Sequence, residues 1–220
     1  MIKCCIFDLD GTILDTIGSI TYFVNKTFSE YGIAEVSVDE CKYFAGNGAR
    51  TLIKRALISR GVTDEALTEK ILEDYVLDYD KDPLYLTGVF EGIDSLLSQL
   101  RARGIKLAVL SNKPNSTVKS IVKNFFGDSF DVVLGGREGV PLKPDPTAAQ
   151  DILKILGFTA EEAAWVGDTS TDIETAKNLN AALSFGVLWG FRKRDELEAA
   201  GADIIVSSAD EILRGIVSFD

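Results

Sequence analysis

The sequence predicts an α/β fold, a parallel sheet with helices on both faces and an all-helical segment inserted near its start. Three observations point there. The apolar pair Ile6-Phe7 opens onto carboxylates, Asp8 and Asp10, within the first fifteen residues, as a buried strand does when it ends at a sheet edge. From residue 84 onward, short β-rich runs alternate with helical periods, the pattern of a parallel sheet whose ligand site lies at the carboxyl ends of its strands. Residues 16 to 83 carry helical periodicity alone. The expected organisation is a discontinuous core, 1–15 and 84–220, and a helical cap, 16–83.

Composition narrows the function classes. With 220 residues, 46% hydrophobic and 26% charged, the chain suits one large domain or one domain with an insertion. A net charge of -11 argues against nucleic acid or an anionic membrane as partner, so an anionic substrate needs a locally positive pocket. No apolar run approaches the ~20 residues of a membrane span, and Asp8 and Asp10 interrupt the N-terminal apolar stretch. The expected location is the cytoplasm. Cys4, Cys5 and Cys41 have neither disulfide-framework nor zinc spacing and read as ordinary thiols. The chain has no histidine, which excludes a phosphohistidine, a Ser-His-Asp triad and the usual His-containing metal sites. Acid–base work falls to carboxylates, Lys, Tyr or Cys.

In chain order, the first strand places Asp8 and Asp10 on one face with Leu9 pointing to the other, and Gly11 lets the backbone turn away. Ile17, Ile20, Phe23, Val24, Phe28 and Tyr31 recur at helical spacing up to Gly32. Ser37-Val38-Asp39-Glu40 has the form of a capping box for a short helix that Gly46 ends. Asn47 is then the expected cap of a helix running to Gly61, and a fourth helical pattern, Leu67 to Tyr79, stops at Asp82-Pro83. Beyond it, Phe90 to Leu100 forms a helix. Strands are expected at Ile105–Leu110, Val132–Leu134, Ala164–Val166, Leu183–Leu188 and Ile204–Val206.

Adjacent carboxylates repel, so the Asp8–Asp10 pair needs a cation between its members or a proton on one of them. An isolated Asp-x-Asp is more often a solvated strand end; the residues downstream change that balance. Ser111-Asn112-Lys113-Pro114 follows the strand ending at Leu110, with Asn115 placed to cap the next helix, and offers a hydroxyl, an amide and backbone N–H groups. Lys143-Pro144-Asp145-Pro146 holds a lysine in an enforced extended segment, with Asp145 and Pro146 at a helix start. Gly167-Asp168-Thr169-Ser170-Thr171-Asp172 presents two carboxylates four residues apart, hard oxygen ligands suited to Mg²⁺.

These four segments, in this order, resemble the four motifs of the haloacid dehalogenase-like superfamily, beginning with Asp8-Leu9-Asp10-Gly11-Thr12 and Asp15. The resemblance implies a Rossmann-like core and a phosphatase that forms an aspartyl-phosphate. It carries over Asp8 as nucleophile, Asp10 as acid–base group and Lys143 as charge stabiliser. Thr12 and Ser111 become substrate contacts, and Asn112 more loosely so. Mg²⁺ is implied on the Asp8 carboxylate, the Asp10 carbonyl and Asp168, with Asp172 a ligand or the partner of one. Asp10 sets the chain apart from dehalogenases and phosphonate hydrolases, while a mutase of the β-phosphoglucomutase branch is a weaker alternative.

Ala45-Gly46-Asn47-Gly48-Ala49-Arg50, Gly139 to Pro146 and Val187-Leu188-Trp189-Gly190-Phe191 are similar to the phosphoglycolate phosphatase subgroup, with pyrophosphatases and sugar-phosphate phosphatases sharing much of the pattern. In the cap, Asn47 and Arg50 are the candidates for the substrate's other end, Arg50 because a guanidinium pairs bidentately with a carboxylate. A phosphoaspartate receiver domain uses a similar acidic cluster and lysine, but it is shorter and keeps its phosphate as a signal. The expected partner is a small anionic phosphorylated metabolite, acted on by a monomer or homodimer.

Overall fold

The structure, a computed structural model, describes residues 1–219. Two units divide the chain: 1–15 with 89–220, and 16–88. The first contains β1 (Cys4–Phe7), β2 (Leu14–Asp15) and nearly all of the elements that follow the helical insertion. In the insertion lie α1 (Ile17–Glu30), α2 (Val38–Phe44), α3 (Ala49–Ser59) and α4 (Glu65–Lys81). After β3 (Gly88–Val89), where the chain leaves the insertion, come α5 (Ile93–Ala102), β4 (Lys106–Pro114), α6 (Asn115–Phe126), β5 (Val132–Gly136) and α7 (Thr147–Leu156). The chain closes with β6 (Ala163–Gly167), α8 (Ser170–Leu179), β7 (Leu183–Val187), α9 (Arg194–Ala200), β8 (Ile204–Val206) and α10 (Ala209–Phe219).

The main sheet has six parallel strands in the order β5-β4-β1-β6-β7-β8. β1 occupies the interior because all four of its residues are apolar and buried, so neither face tolerates water. Its neighbours hold it in register, Ile6 opposite Ala108 on one side and Trp165 on the other. Alternation along the strand sends Cys4 and Ile6 into a core with Leu110, Ile152 and Trp165. Phe7 instead meets Phe130 edge-on at 6.2 Å, and Phe130 meets Phe126 at 5.5 Å. Every strand that carries a predicted motif ends at the same edge.

β4 continues past Leu110, where the sequence predicts the end of the strand, to Pro114. Its register with β5 shifts between Leu110 and Pro114, so Ser111 to Lys113 span on β4 what Gly135 alone spans on β5. The glycines of β5 permit this irregularity, since they offer no side chain where the β4 backbone crosses. Asn115 is the first helical residue rather than a cap, and its Oδ1 accepts the Gly135 N–H at 2.9 Å. Likewise Pro146 precedes α7 at the capping position, while the Asp145 carboxylate accepts the Thr147 N–H at 2.9 Å.

In the helical unit, Ser37 and Glu40 form the predicted capping box: Ser37 Oγ accepts from Glu40 N at 3.2 Å and Glu40 Oε2 accepts from Ser37 N at 2.8 Å. α3 is capped by Gly48, at φ +83°, and not by Asn47. Residues beyond Pro83 also belong here: the Tyr85 ring packs tilted against Tyr22 and edge-on to Phe23, with ring centroids 4.7 and 6.4 Å apart. That aromatic contact carries the boundary to Gly88, past the Asp82-Pro83 break. Among the described residues, no helix is long and apolar enough to cross a membrane.

Because Ile6 is fully buried at the sheet's centre, Ile6→Ala is expected to lower unfolding stability by ~3 kcal/mol through lost burial and the cavity left behind. Urea denaturation followed by circular dichroism measures this; a change below ~1 kcal/mol would contradict the packing described.

Candidate active site

Asp8 follows β1 directly. Its N–H still belongs to the ladder, donating to Val166 O at 2.9 Å, and its carboxylate emerges at the sheet edge while staying 7% exposed. Lys143 reaches it from the loop after β5. The ammonium lies 2.7 Å from Asp8 Oδ1 and 2.8 Å from Asp172 Oδ1, with only 2% of the side chain exposed. The lysine's backbone is fixed by Asn112, whose Oδ1 accepts the Lys143 N–H at 2.8 Å and whose Nδ2 donates to Lys143 O at 3.1 Å. Asn112 thus orients Lys143; the substrate contact suggested for it would draw on the same amide.

Asp172 is the third residue of α8 and completes a capping box. Its Oδ2 accepts from Thr169 N at 3.1 Å and Thr169 Oγ1 at 2.7 Å. With Oδ1 given to Lys143, both carboxylate oxygens have partners. Asp168, at the end of β6, is fully buried and accepts from Thr12 Oγ1 at 3.0 Å and from Phe191 N at 2.7 Å. Thr12, predicted as a substrate contact, is itself fully buried with its hydroxyl turned to Asp168. Gly11 and Gly190 wall this carboxylate, since a Cβ on either would collide with it.

One carboxylate oxygen from each of Asp8, Asp168 and Asp172 lies within 4.8 Å of the other two, and the Lys143 ammonium bonds two of the three residues, Asp8 and Asp172. Burial, then repulsion from Asp172, pushes the Asp8 carboxyl up to about 7 against the pull of Lys143. Burial likewise raises Asp168 well above the carboxylate range, reinforced by Asp172 and Asp8 and opposed by its bonds to Phe191 and Thr12. Burial works against the Lys143 ammonium, yet Asp172 and Asp8 outweigh it and hold its proton more tightly than usual.

Asp10 is less buried and pairs with a different cation, Lys113, whose Nζ lies 2.8 Å from its Oδ1. Ser111, 3% exposed, sits in the irregular stretch of β4 and accepts the Lys113 N–H at 3.2 Å. The structure therefore brings Asp8, Lys143, Asp168 and Asp172 into one charged cluster, ties Thr12 and Asn112 to its members, and pairs Asp10 with a lysine. In the helical unit Asn47 belongs to the turn before α3. The guanidinium of Arg50 is closed on both carboxylate oxygens of Glu69, from α4, so the fork expected for a substrate carboxylate is already engaged.

Sequence reasoning assigns Lys113 no role of its own, and marks the loop after β7 only as a segment similar to the subgroup. That loop ties the first motif to the last: Trp189 Nε1 donates to Thr12 O at 2.9 Å, and Phe191 N serves Asp168. The Gly135-Gly136 pair within a strand was the available signal for Lys113, because strand glycines mark close backbone approach.

The sequence pattern of the haloacid dehalogenase-like hydrolases matches residues 5–185. A phosphoglycolate phosphatase of Rhodospirillum rubrum is 36% identical over 183 residues, covering 80% of this chain and 76% of its own. That of Aquifex aeolicus is 34% identical over 193 residues, 87% of each chain. A crystal structure from Lactobacillus delbrueckii subsp. bulgaricus, provisionally assigned as a phosphoglycolate phosphatase, superposes with a TM-score of 0.91 at 34% identity, covering 97% of this chain and 98% of that one.

Parallel sheet, edge carboxylates and these relatives together define an enzyme of the phosphomonoester hydrolase class. The chain belongs to the haloacid dehalogenase-like hydrolase family.

Carboxyls raised in the folded state stabilise it most where they are protonated. For Asp8 this contribution is complete below the ordinary aspartate value and is lost as pH climbs through about 7. The lowered carboxylates Asp78 and Asp131 lose theirs only in more acid solution, so the window between about pH 5 and 8 reports the site. In chelator, the urea midpoint is expected to fall from about pH 5 to 8. A midpoint that rises over that range would show the cluster is not strained as described.

Proposed function

We propose that this chain hydrolyses a small phosphomonoester through an aspartyl-phosphate on Asp8, with Mg²⁺ as cofactor and 2-phosphoglycolate as substrate. The observation that carries the reading is the charge imbalance at the sheet edge, where three buried carboxyls meet the single ammonium of Lys143, which bonds two of them. Ionising all three carboxyls would leave an excess of negative charge, which burial resists and which a divalent cation such as Mg²⁺, suited to hard oxygen donors, offsets. Asp8 and Asp168, with the Asp10 carbonyl, are the groups assigned to hold it, while Asp172 serves by keeping Lys143 in place. When bound, the ion lowers the repulsion between an anionic phosphate and the Asp8 carboxylate and takes up charge in the transition state.

The residues act as follows. An Asp8 carboxylate oxygen attacks phosphorus, and the bond from phosphorus to the ester oxygen breaks. Asp10 gives that oxygen its proton, so the alcohol leaves neutral. Water then attacks phosphorus while Asp10 takes its proton. The bond between Asp8 and phosphorus breaks, which releases phosphate and restores the carboxylate. Lys143, anchored through Asn112, keeps a positive charge beside Asp8 throughout.

The assignment of 2-phosphoglycolate rests on the relatives' names together with the segments shared with their subgroup. The reading includes a cytoplasmic monomer or homodimer acting on an anionic metabolite, without nucleic acid or membrane as partner; the net charge of -11 argues against nucleic acid and an anionic membrane.

Asp8→Asn is expected to abolish phosphate release while leaving the circular dichroism spectrum unchanged. Substantial residual turnover would sink the covalent route. In wild type, kcat/KM compared across 2-phosphoglycolate, pyrophosphate and several sugar phosphates is expected to be greatest for 2-phosphoglycolate. A flat profile, or another favourite, would keep the chemistry and remove that substrate.

A further inference from the structure

We infer that Lys113 is the positioning residue for Asp10, delivered to it by the irregularity of β4; the inference rests on the acid–base role proposed for Asp10. The site has two ammonium groups with different surroundings. Lys143 is 2% exposed and bonded to Asp8 and Asp172. Lys113 is 10% exposed, and its Nζ meets Asp10 Oδ1 at 2.8 Å. Gly11, at φ +82°, turns the chain away immediately after Asp10. Its carboxylate, 17% exposed, receives the Lys113 ammonium at one oxygen.

How Lys113 arrives there is a matter of strand geometry. Three β4 residues span the distance that Gly135 alone covers on β5, and an irregularity of this kind re-aims the side chains it carries. The crossing is tight. A Cβ on Gly135 would lie 2.6 Å from Lys113 O and 2.7 Å from Asn115 Cα, although nothing about the Gly135 backbone itself demands glycine. Two bonds hold the bulge: Lys113 N donates to Ser111 Oγ at 3.2 Å and Gly135 N to Asn115 Oδ1 at 2.9 Å. Glycine at 135 is thereby explained by the close approach of the neighbouring backbone at Lys113 and Asn115.

A positioned proton donor matters for an alkoxide leaving group and hardly at all for p-nitrophenolate, which departs without a proton. The test therefore compares kcat/KM, which reports the steps through phosphoryl transfer to Asp8, for p-nitrophenyl phosphate and for the alkyl phosphate the wild type prefers. Lys113→Met is expected to cut kcat/KM for the alkyl ester by about 10- to 100-fold and for p-nitrophenyl phosphate by less than about 3-fold. Lys113→Arg should restore most of the alkyl-ester activity. Gly135→Ala, which leaves Lys113 itself intact, should reproduce the selective loss. Equal losses on both esters in the folded variants, or none, would overturn the inference and leave the phosphatase reading standing. Absence of phosphate release from either ester by wild type would overturn that reading, and this inference with it.

Discussion

A buried ammonium between two buried carboxylates, Lys143 between Asp8 and Asp172, ties the site together. Three separate segments meet in that contact: the end of β1, the loop after β5 and the first turn of α8. Charges so deeply buried are costly unless paired, so each segment is obliged to present its group at the right place. Neither end of the contact is left to chance, for Asn112 grips the Lys143 backbone on both its N–H and its carbonyl. Thr169 holds Asp172 with a backbone and a hydroxyl donor. Such a cluster is poor evidence of stability, since an apolar replacement of equal shape often stabilises a fold more. Its worth lies in the charge it places at the sheet edge.

The same contact explains why the remaining carboxylates behave as they do. Lys143 compensates part of the negative charge, and Asp168 has no cationic side chain among its bonded partners, Thr12 and the Phe191 N–H. Burial raises both Asp8 and Asp168, and repulsion from Asp172 adds to it at each. A site in this condition is strained toward any group that supplies positive charge. The sheet brings the two together, because the adjacent strands β1 and β6 end side by side and bring Asp8 and Asp168 out at one edge.

Much of this was legible in the chain. The strand ends could be read because β1 and β6 are apolar throughout and then turn abruptly to carboxylates, and the helices because their apolar residues keep a period near 3.6. The Ser37–Glu40 box could be read because both partners lie within one turn. What stayed hidden depends on the direction a side chain takes once a strand departs from regularity. Thr12, Asn112 and Asn115 are polar residues beside a motif, and all three turn to protein groups: Asp168, the Lys143 backbone and Gly135 N. Arg50 is closed on Glu69, nineteen positions along the chain and on another helix, a pairing that no local spacing discloses. Lys113 was in plain sight, but the bulge that aims it depends on a glycine in a different strand.

Glycine is the residue through which these distant dependencies act. Gly11 has a backbone that few other residues adopt, at φ +82°, and so carries two requirements at once: the turn after Asp10 and the space beside Asp168. Gly190 and Gly135 carry only the second kind. Their backbones are ordinary, and what excludes a side chain is a neighbour from elsewhere in the chain, Asp168 in one case and the Lys113 carbonyl in the other. A glycine of that type says nothing through turn propensity, yet it fixes how close two segments may come. Approaches of this kind fall beside Asp168, Asp172 and the bulge bearing Lys113, as they also do away from the site beside Lys177 and Phe185. Holding donors and acceptors at such separations moves the work of orienting them into folding, which leaves little reorganisation for the moment when a phosphate arrives.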